Sequence, residues 1–210
     1  MPLKIYTSNR MELLVDDLEG VVRAPLPEPC TPFTKEIIVV QSKGMQRWLS
    51  MELARRVGVW ANSEFPFPNK IVETLFAALI PDCPAESPAF KPEVLTWRLM
   101  GLLLESIGRP GFEEISGYLS DDRDGLKRMQ LAARIADTFD RYTVYRPELI
   151  LSWEAGAEGG WQALLWRALS AGVTQRHRAR LLAELREGPA LAARRLPARI
   201  SLIGIPTLPP

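Results

Sequence analysis

The run Ile37-Ile38-Val39-Val40 constrains this chain more than any other stretch. Four consecutive β-branched residues cannot alternate between core and solvent. They read as a strand buried on both faces, the pattern of a parallel sheet covered by helices. Gln41-Ser42-Lys43-Gly44 then forms a short polar turn, and Met45, Leu49, Leu53 and Val57 share one i,i+4 row with Trp48 beside it. Upstream, residues 3–7 (Leu-Lys-Ile-Tyr-Thr) alternate apolar and polar as a short strand would. Asn9 with Glu12 reads as a capping box for a helix through Met11, Leu14, Val15 and Leu18. The first 57 residues are expected to run β-α-β-α, with the right-handed crossovers of a parallel sheet.

The middle of the chain changes character. A proline-rich loop runs from Pro25 to Pro32, and Trp60 to Pro68 is aromatic and proline-punctuated, a structured loop. Helical periodicity then dominates near Ile71–Leu79, Val94–Ile107, Phe112–Leu119, Gly125–Tyr142, Trp161–Ala171 and Arg178–Arg186. Ile200-Ser201-Leu202-Ile203-Gly204 returns to a buried-strand pattern, followed by Pro206, Pro209 and Pro210. The layout is an α/β core over residues 1–68 and 197–210 with an all-helical insertion over 69–196, and no internal repeat. A last parallel strand without a covering helix is expected to continue into a longer protein.

Composition narrows the function classes. Lys and Arg number 26 against 25 Asp and Glu, a net charge of +1, far from the basicity of a dedicated DNA coat but compatible with one local channel. The single histidine, His177, leaves no room for a histidine metal cluster or a convincing catalytic triad. Cys30 and Cys83 sit apart in proline-rich loops, which fits a reducing cytosol and hence a cytoplasmic protein. No apolar run reaches the roughly 18 residues of a membrane span, and the start lacks the pattern of a signal peptide. The turn Thr7-Ser8-Asn9-Arg10 holds no glycine, and 41–44 lacks the spacing of a phosphate loop, so nucleotide hydrolysis, a cofactor and a metal are not expected.

Three constellations remain. Gln41, Ser42, Lys43 and Arg47 occupy the carboxyl end of a strand and the first helical turn, the edge where open α/β sheets bind ligands. Their amide and cationic groups can bond base edges or phosphates, or they are simply a solvated turn. On the helix 125–142, Leu126, Met129, Ala133, Ala136 and Phe139 are expected to face a core, with Arg134, Asp137 and Arg141 on another face. Asp137 and Asp140 could accept hydrogen bonds from bases, with Arg146 following; an intrahelical Arg–Asp–Arg ladder is the plainer reading. Arg176, His177, Arg178 and Arg180 put cations at a helix start, against the helix dipole, a weak hint of phosphate. Trp48, Trp60, Phe65 and Phe67 could stack on unpaired bases, although core packing is the commoner role; Trp161 and Trp166 are expected to pack within the insertion.

The segments KIYTSNRMELL, IIVVQSKGMQRWLSMELARRVGVWANSEFPFP, LTWRLMGLL, IADTFDRYTVYRPELILSW, WQALLWRAL and ISLIGIPTLPP, in this order, resemble the amino-terminal part of the RecC family, the gamma subunits of exodeoxyribonuclease V. The resemblance runs over nearly the whole chain. It implies the fold of a superfamily 1 helicase, P-loop NTPase-like but degenerate, with 1–68 and 197–210 as an inactive subdomain 1A and 69–196 as subdomain 1B. It implies a non-catalytic subunit that works with RecB and RecD in double-strand break repair and homologous recombination, guides the 3′-ended single strand and scans it for the hotspot Chi. No membrane role is implied. A structural scaffold for the partner subunits, without sequence readout, is the alternative. On the family pattern Gln41, Asp137, Asp140, Arg146 and Arg178 match DNA-tunnel positions. Lys43 stands where a small hydroxyl residue is expected, Arg47 where an amide is, Phe67 where an aliphatic is and Glu73 where an aromatic is. Lys43 and Arg47 would strengthen phosphate or guanine contact and Glu73 would change base preference, so strand binding is a safer expectation than reading of the same hotspot.

Overall fold

The computed structural model describes residues 3–31, 33–83, 88–187 and 196–205. Pro32, Pro206, Pro209 and Pro210 lie outside the described residues. In chain order the elements are α1 (Met11–Arg23), β1 (Glu36–Val39), α2 (Lys43–Val57), β2 (Ser63–Glu64), α3 (Pro68–Leu79), a 3₁₀ turn (Pro88–Phe90), α4 (Pro92–Ser106), α5 (Glu113–Tyr118), α6 (Leu126–Tyr145), α7 (Pro147–Glu154), α8 (Gly160–Ser170), α9 (Arg178–Glu187) and β3 (Ile200–Leu202). The chain divides into two compact units, Met1–Leu79 with Ala192–Leu208, and Ile80–Leu191 with Pro209–Pro210. By this division α3 goes with the sheet, whereas the sequence reading opened the insertion at residue 69.

In the first unit the three strands are parallel in the order β2-β1-β3. Ile37 pairs with Glu64 on one side and with Ile200 on the other. The central position of β1 explains its composition: Ile38, Val39 and Val40 are all fully buried. Ile38 and Val40, two residues apart and so on one face, join Val15 and Leu18 of α1, Leu49 and Leu53 of α2, and Ile203 in one core. Glu36 opens β1 and Arg199 precedes β3, and the two form a bidentate pair (Nε to Oε1 2.8 Å, Nη2 to Oε2 2.7 Å) while the same guanidinium donates to the Ala24 carbonyl. β2 is short for a local reason. Pro66 and Pro68 carry no N–H, so the segment after Glu64 cannot keep up its side of a ladder.

Two expectations for this unit fail. Residues 3–7 form no strand; Leu3 is 86% and Ile5 76% exposed. β1 already has a neighbour on each side, and 3–7 has no sheet partner among the described residues, so alternation alone does not make it a strand. The leading β-α-β-α is therefore α1-β1-α2. The capping box is also absent: Arg10 is the residue that caps α1, without a side-chain bond, and its N–H goes to Ser8 Oγ at 3.0 Å.

The second unit is helical throughout its described residues. Its core gathers Leu95, Leu99 and Leu103 of α4, Ala132, Ile135, Ala136 and Phe139 of α6, Trp153 of α7, and Leu165, Trp166 and Leu169 of α8. The rings interlock edge-on, with Phe139 and Trp166 centroids 5.3 Å apart at 86°. The core stripe of α6 is rotated from the expected one, because Leu126 and Ala133 are exposed while Ala132, Ile135 and Thr143 are buried. α7 is a helix the periodicity did not indicate; Pro147 stands at its first position, where a missing N–H costs nothing.

Candidate nucleic-acid interface

The carboxyl edge of the sheet is assembled from three turns. β1 leaves through Val40 into Gln41, and Ser42 then caps α2, its Oγ accepting the Met45 N–H at 3.1 Å. β2 leaves through Phe65 and Pro66, and the Pro66 carbonyl accepts the Val40 N–H at 3.2 Å, so the two exits stay side by side beyond the strands themselves. Phe67 follows, and its carbonyl accepts the Ile71 N–H at 3.1 Å, starting α3. β3 leaves through Ile203, whose N–H goes to the Val39 carbonyl, into Gly204. Gly204 has φ +68°, and a Cβ there would stand 3.3 Å from Met45 Cε and 3.4 Å from Met11 Cε, so this turn favours glycine on both counts.

This edge is polar, cationic and open. Gln41, Ser42, Lys43, Gly44 and Arg47 are exposed. Lys43 and Arg47 lie one turn apart on α2, and neither side chain has a carboxylate or hydrogen-bond partner among the described residues. Trp48 and Phe67 are exposed beside them, while Trp60 and Phe65 pack against the core, so two of the four candidate aromatics are available to a ligand. Glu73 sits further along α3 with Lys70 Nζ 4.0 Å from its carboxylate. In this unit the structure brings Gln41, Lys43, Arg47 and Phe67 to one edge.

The remaining candidates belong to the second unit. Asp137 is exposed and pairs with Arg141 at 2.8 Å; Arg134 takes no part, so the expected three-member ladder is a single pair. Asp140 is half-buried. Burial pushes its carboxyl above the ordinary aspartate range, the nearby Arg178 guanidinium opposes that rise, and Asp137 and Glu93 add to it. Asp137, Asp140 and Arg178 thus share one electrostatic neighbourhood where α6 meets α9. Arg146 joins α6 to α7 with its guanidinium 5.7 Å from the centroid of the Tyr142 ring.

The basic run at the start of α9 does not act as one patch. His177 is buried, with Nε2 2.8 Å from Glu154 Oε1; Arg180 Nε donates to Glu154 Oε2 at 2.8 Å, and Arg176 pairs with Glu184 at 2.7 Å. Trp166 Nε1 also donates to Glu154. Glu154 is the hub of this network, which residue spacing does not reveal because its partners lie 12, 23 and 26 residues away. No helix among the described residues is long and apolar enough to cross a membrane. No group of three His, Cys, Asp or Glu among the described residues could hold a metal ion.

The family model described as "RecC, N-terminal domain" matches residues 3–210. The chain belongs to the RecC family. The RecBCD enzyme subunit RecC of Escherichia coli K12 is 39% identical to it over 99% of this chain. The subunits of the same name from Haemophilus influenzae and Mycolicibacterium smegmatis are 35% and 32% identical over 98% and 100% of it. The chain spans about a fifth of the length of these RecC relatives.

Proposed function

We propose that this RecC-family chain is a non-catalytic, strand-guiding part of a RecBCD-type enzyme, acting in the cytoplasm in double-strand break repair and recombination. The observation that carries the reading is the sheet's carboxyl edge, where Lys43 and Arg47 present uncompensated charge beside the Gln41 amide and the exposed Phe67 and Trp48 rings. Unpaired cations next to exposed aromatics suit a single strand, whose phosphates need charge and whose bases need a stacking surface. In the helical unit Asp137 and Asp140 supply acceptors for base amino groups, and Arg146 and Arg178 supply donors for phosphates or base edges. In this reading the sheet unit is a helicase-like subdomain 1A that lacks a phosphate loop, the helical unit is 1B, the partners are RecB and RecD, and the bound strand is the 3′-ended one. Scanning for a Chi-type word is part of the proposal, with Lys43, Arg47, Phe67 and Glu73 giving a preference of their own.

The test is binding of a fluorescent single-stranded oligonucleotide to the 210-residue chain. Weak, salt-sensitive binding that falls when Gln41, Asp137, Arg146 and Arg178 are substituted supports guidance. Unchanged binding in those variants overturns it, and tight magnesium–ATP binding by calorimetry removes the non-catalytic part.

A scaffolding role is favoured by a different observation: Val94, Trp97 (67% exposed), Leu104 and Ile107 leave apolar side chains along the outside of α4 and its end. If holding partner subunits is the role, Trp97→Ser loses RecB or RecD in co-purification, whereas the DNA-edge variants keep them.

A further inference from the structure

The helical unit contains a half-open cavity of about 230 Å³ lined by Arg167, Thr174, Gln175, Arg180, Ser170 and the Glu154–His177 pair, among others. From its lining we infer that this cavity binds a phosphate group.

The argument rests on which hydrogen-bonding groups are already engaged. Glu154, the lining carboxylate, faces the protein: His177, Arg180 and Trp166 all bond it. Arg176 is engaged by Glu184 and by the Pro81 carbonyl. Arg167 is different. Its Nη1 donates to the Trp153 and Ala157 carbonyls, each at 3.1 Å, and no carboxylate pairs with it among the described residues. Two carbonyls fix the guanidinium without neutralising it, which leaves an oriented cation with unused N–H donors on the cavity wall. The Gln175 Oε1 accepts the Ala89 N–H at 2.9 Å, which fixes the side-chain amide and leaves its NH₂ as a donor. Arg180 uses only Nε on Glu154, so both terminal nitrogens are unused, and the exposed Thr174 adds a hydroxyl. Bidentate guanidinium forks with amide and hydroxyl donors around a small opening match a tetrahedral oxyanion with several acceptor oxygens. α9 begins directly after this lining, so its positive end adds to the same field.

The site does not depend on strand guidance by the sheet edge, and the two fail separately. The test follows the arginine Nε–H and glutamine NH₂ resonances of the ¹⁵N-labelled 210-residue chain during titration with inorganic phosphate, against sodium chloride at matched ionic strength. Saturable shifts at Arg167, Arg180 and Gln175, absent with chloride, are expected. Arg167→Gln weakens binding by about tenfold, the loss of one charge-assisted contact. Arg180→Gln and Thr174→Val, both at exposed positions, weaken it while keeping the fold, and they decide the matter should Arg167→Gln unfold. Shifts no larger than those with chloride, or unchanged affinity in the folded variants, overturn the inference. A single-stranded oligonucleotide that competes with phosphate for the same resonances identifies the natural group as a nucleic-acid phosphate. Failure to compete identifies a free anion, and either result upholds the site. Lys43→Gln leaves the phosphate shifts unchanged.

Discussion

Val40 donates its backbone N–H to the carbonyl of Pro66 across 3.2 Å, and that bond extends the pairing of β1 with β2 past the last paired residues of both. It brings the exits of two parallel strands together, so that Gln41 and Phe67, the next residue on each, flank one edge. Because Pro66 has no N–H to give in return, the pairing stops there and the chain turns into α3. An open polar edge is thereby built from local chemistry: a buried β-branched strand, a serine cap and two prolines.

If this edge binds a single strand as proposed, Lys43 and Arg47 set the salt dependence of that binding. Each phosphate neutralised on a single strand contributes about 0.7 to the slope of log affinity against log salt. Lys43→Gln and Arg47→Gln are each expected to lower the slope by about that amount and the double variant by the sum. Anisotropy titrations at several sodium chloride concentrations measure it. A wild-type slope in the double variant would place the phosphates elsewhere.

The Glu36–Arg199 pair holds the opposite end of the sheet. Both side chains are largely buried, and removing one partner strands a charge, at a cost of about 3 kcal/mol. Arg199→Met is expected to lower stability by that order in urea denaturation. The double variant Glu36→Leu with Arg199→Met should recover a substantial part of it, because no buried charge is left alone. A double variant as unstable as the sum of the singles would show that the loss is one of packing.

How far the chain's sequence reveals these features depends on separation along the chain. β1, β3 and α2 are legible because their signals lie within a few residues: a β-branched run, a short apolar run and an i,i+4 row with a serine at its head. The cationic turn 41–47 is legible for the same reason, since a strand followed by a helix fixes which residues sit at the edge. The strand expected at 3–7 is not formed, because alternation describes a segment that could pair and says nothing of a partner. The core face of α6 differs from the expected one because the adjacent Ala132 and Ala133 carry almost no directional signal, while only Ala132 is buried. The network on Glu154 and the Glu36–Arg199 brace join residues 12 to 163 positions apart, beyond the reach of helix and strand spacing rules.

Glu154 gives the chain a specific acid sensitivity. Burial raises its pKa, but the bonds from His177 and Arg180, the charge of the former and the bond from Trp166 outweigh that and hold it at about 2, below the ordinary value of 4.5. A carboxylate held low in the folded state stabilises it above its unfolded pKa, and that stabilisation is lost as pH falls from about 4.5 through about 2. The melting temperature of wild type is therefore expected to exceed that of Glu154→Gln at pH 7, and the gap should close across this window. Paired melts of the two proteins from pH 7 to pH 2 isolate the residue from the other carboxylates. A gap that stays constant would show that the side chain acts by packing alone.

Gly159 carries the last prediction. A Cβ placed there would lie 2.3 Å from Trp153 Nε1 and 2.8 Å from Ala163 Cβ, both on buried side chains. Gly159 has φ −175°, outside the left-handed region that favours glycine, and the contact of the added carbon dominates the effect. Trp153 cannot yield easily, because its ring packs edge-on against Phe139 and Tyr142. Gly159→Ala is expected to destabilise the helical unit by about 1–3 kcal/mol, the range for overpacking. It should also change the near-ultraviolet circular dichroism of the tryptophans, as Trp153 is pushed from its slot. Gly156→Ala serves as the comparison: with φ +96° but nothing within 4 Å of the added carbon, it strains the backbone and leaves the tryptophan signal unaltered. Equal spectra for Gly159→Ala and wild type would mean that α8 shifts instead and the ring stays where it is.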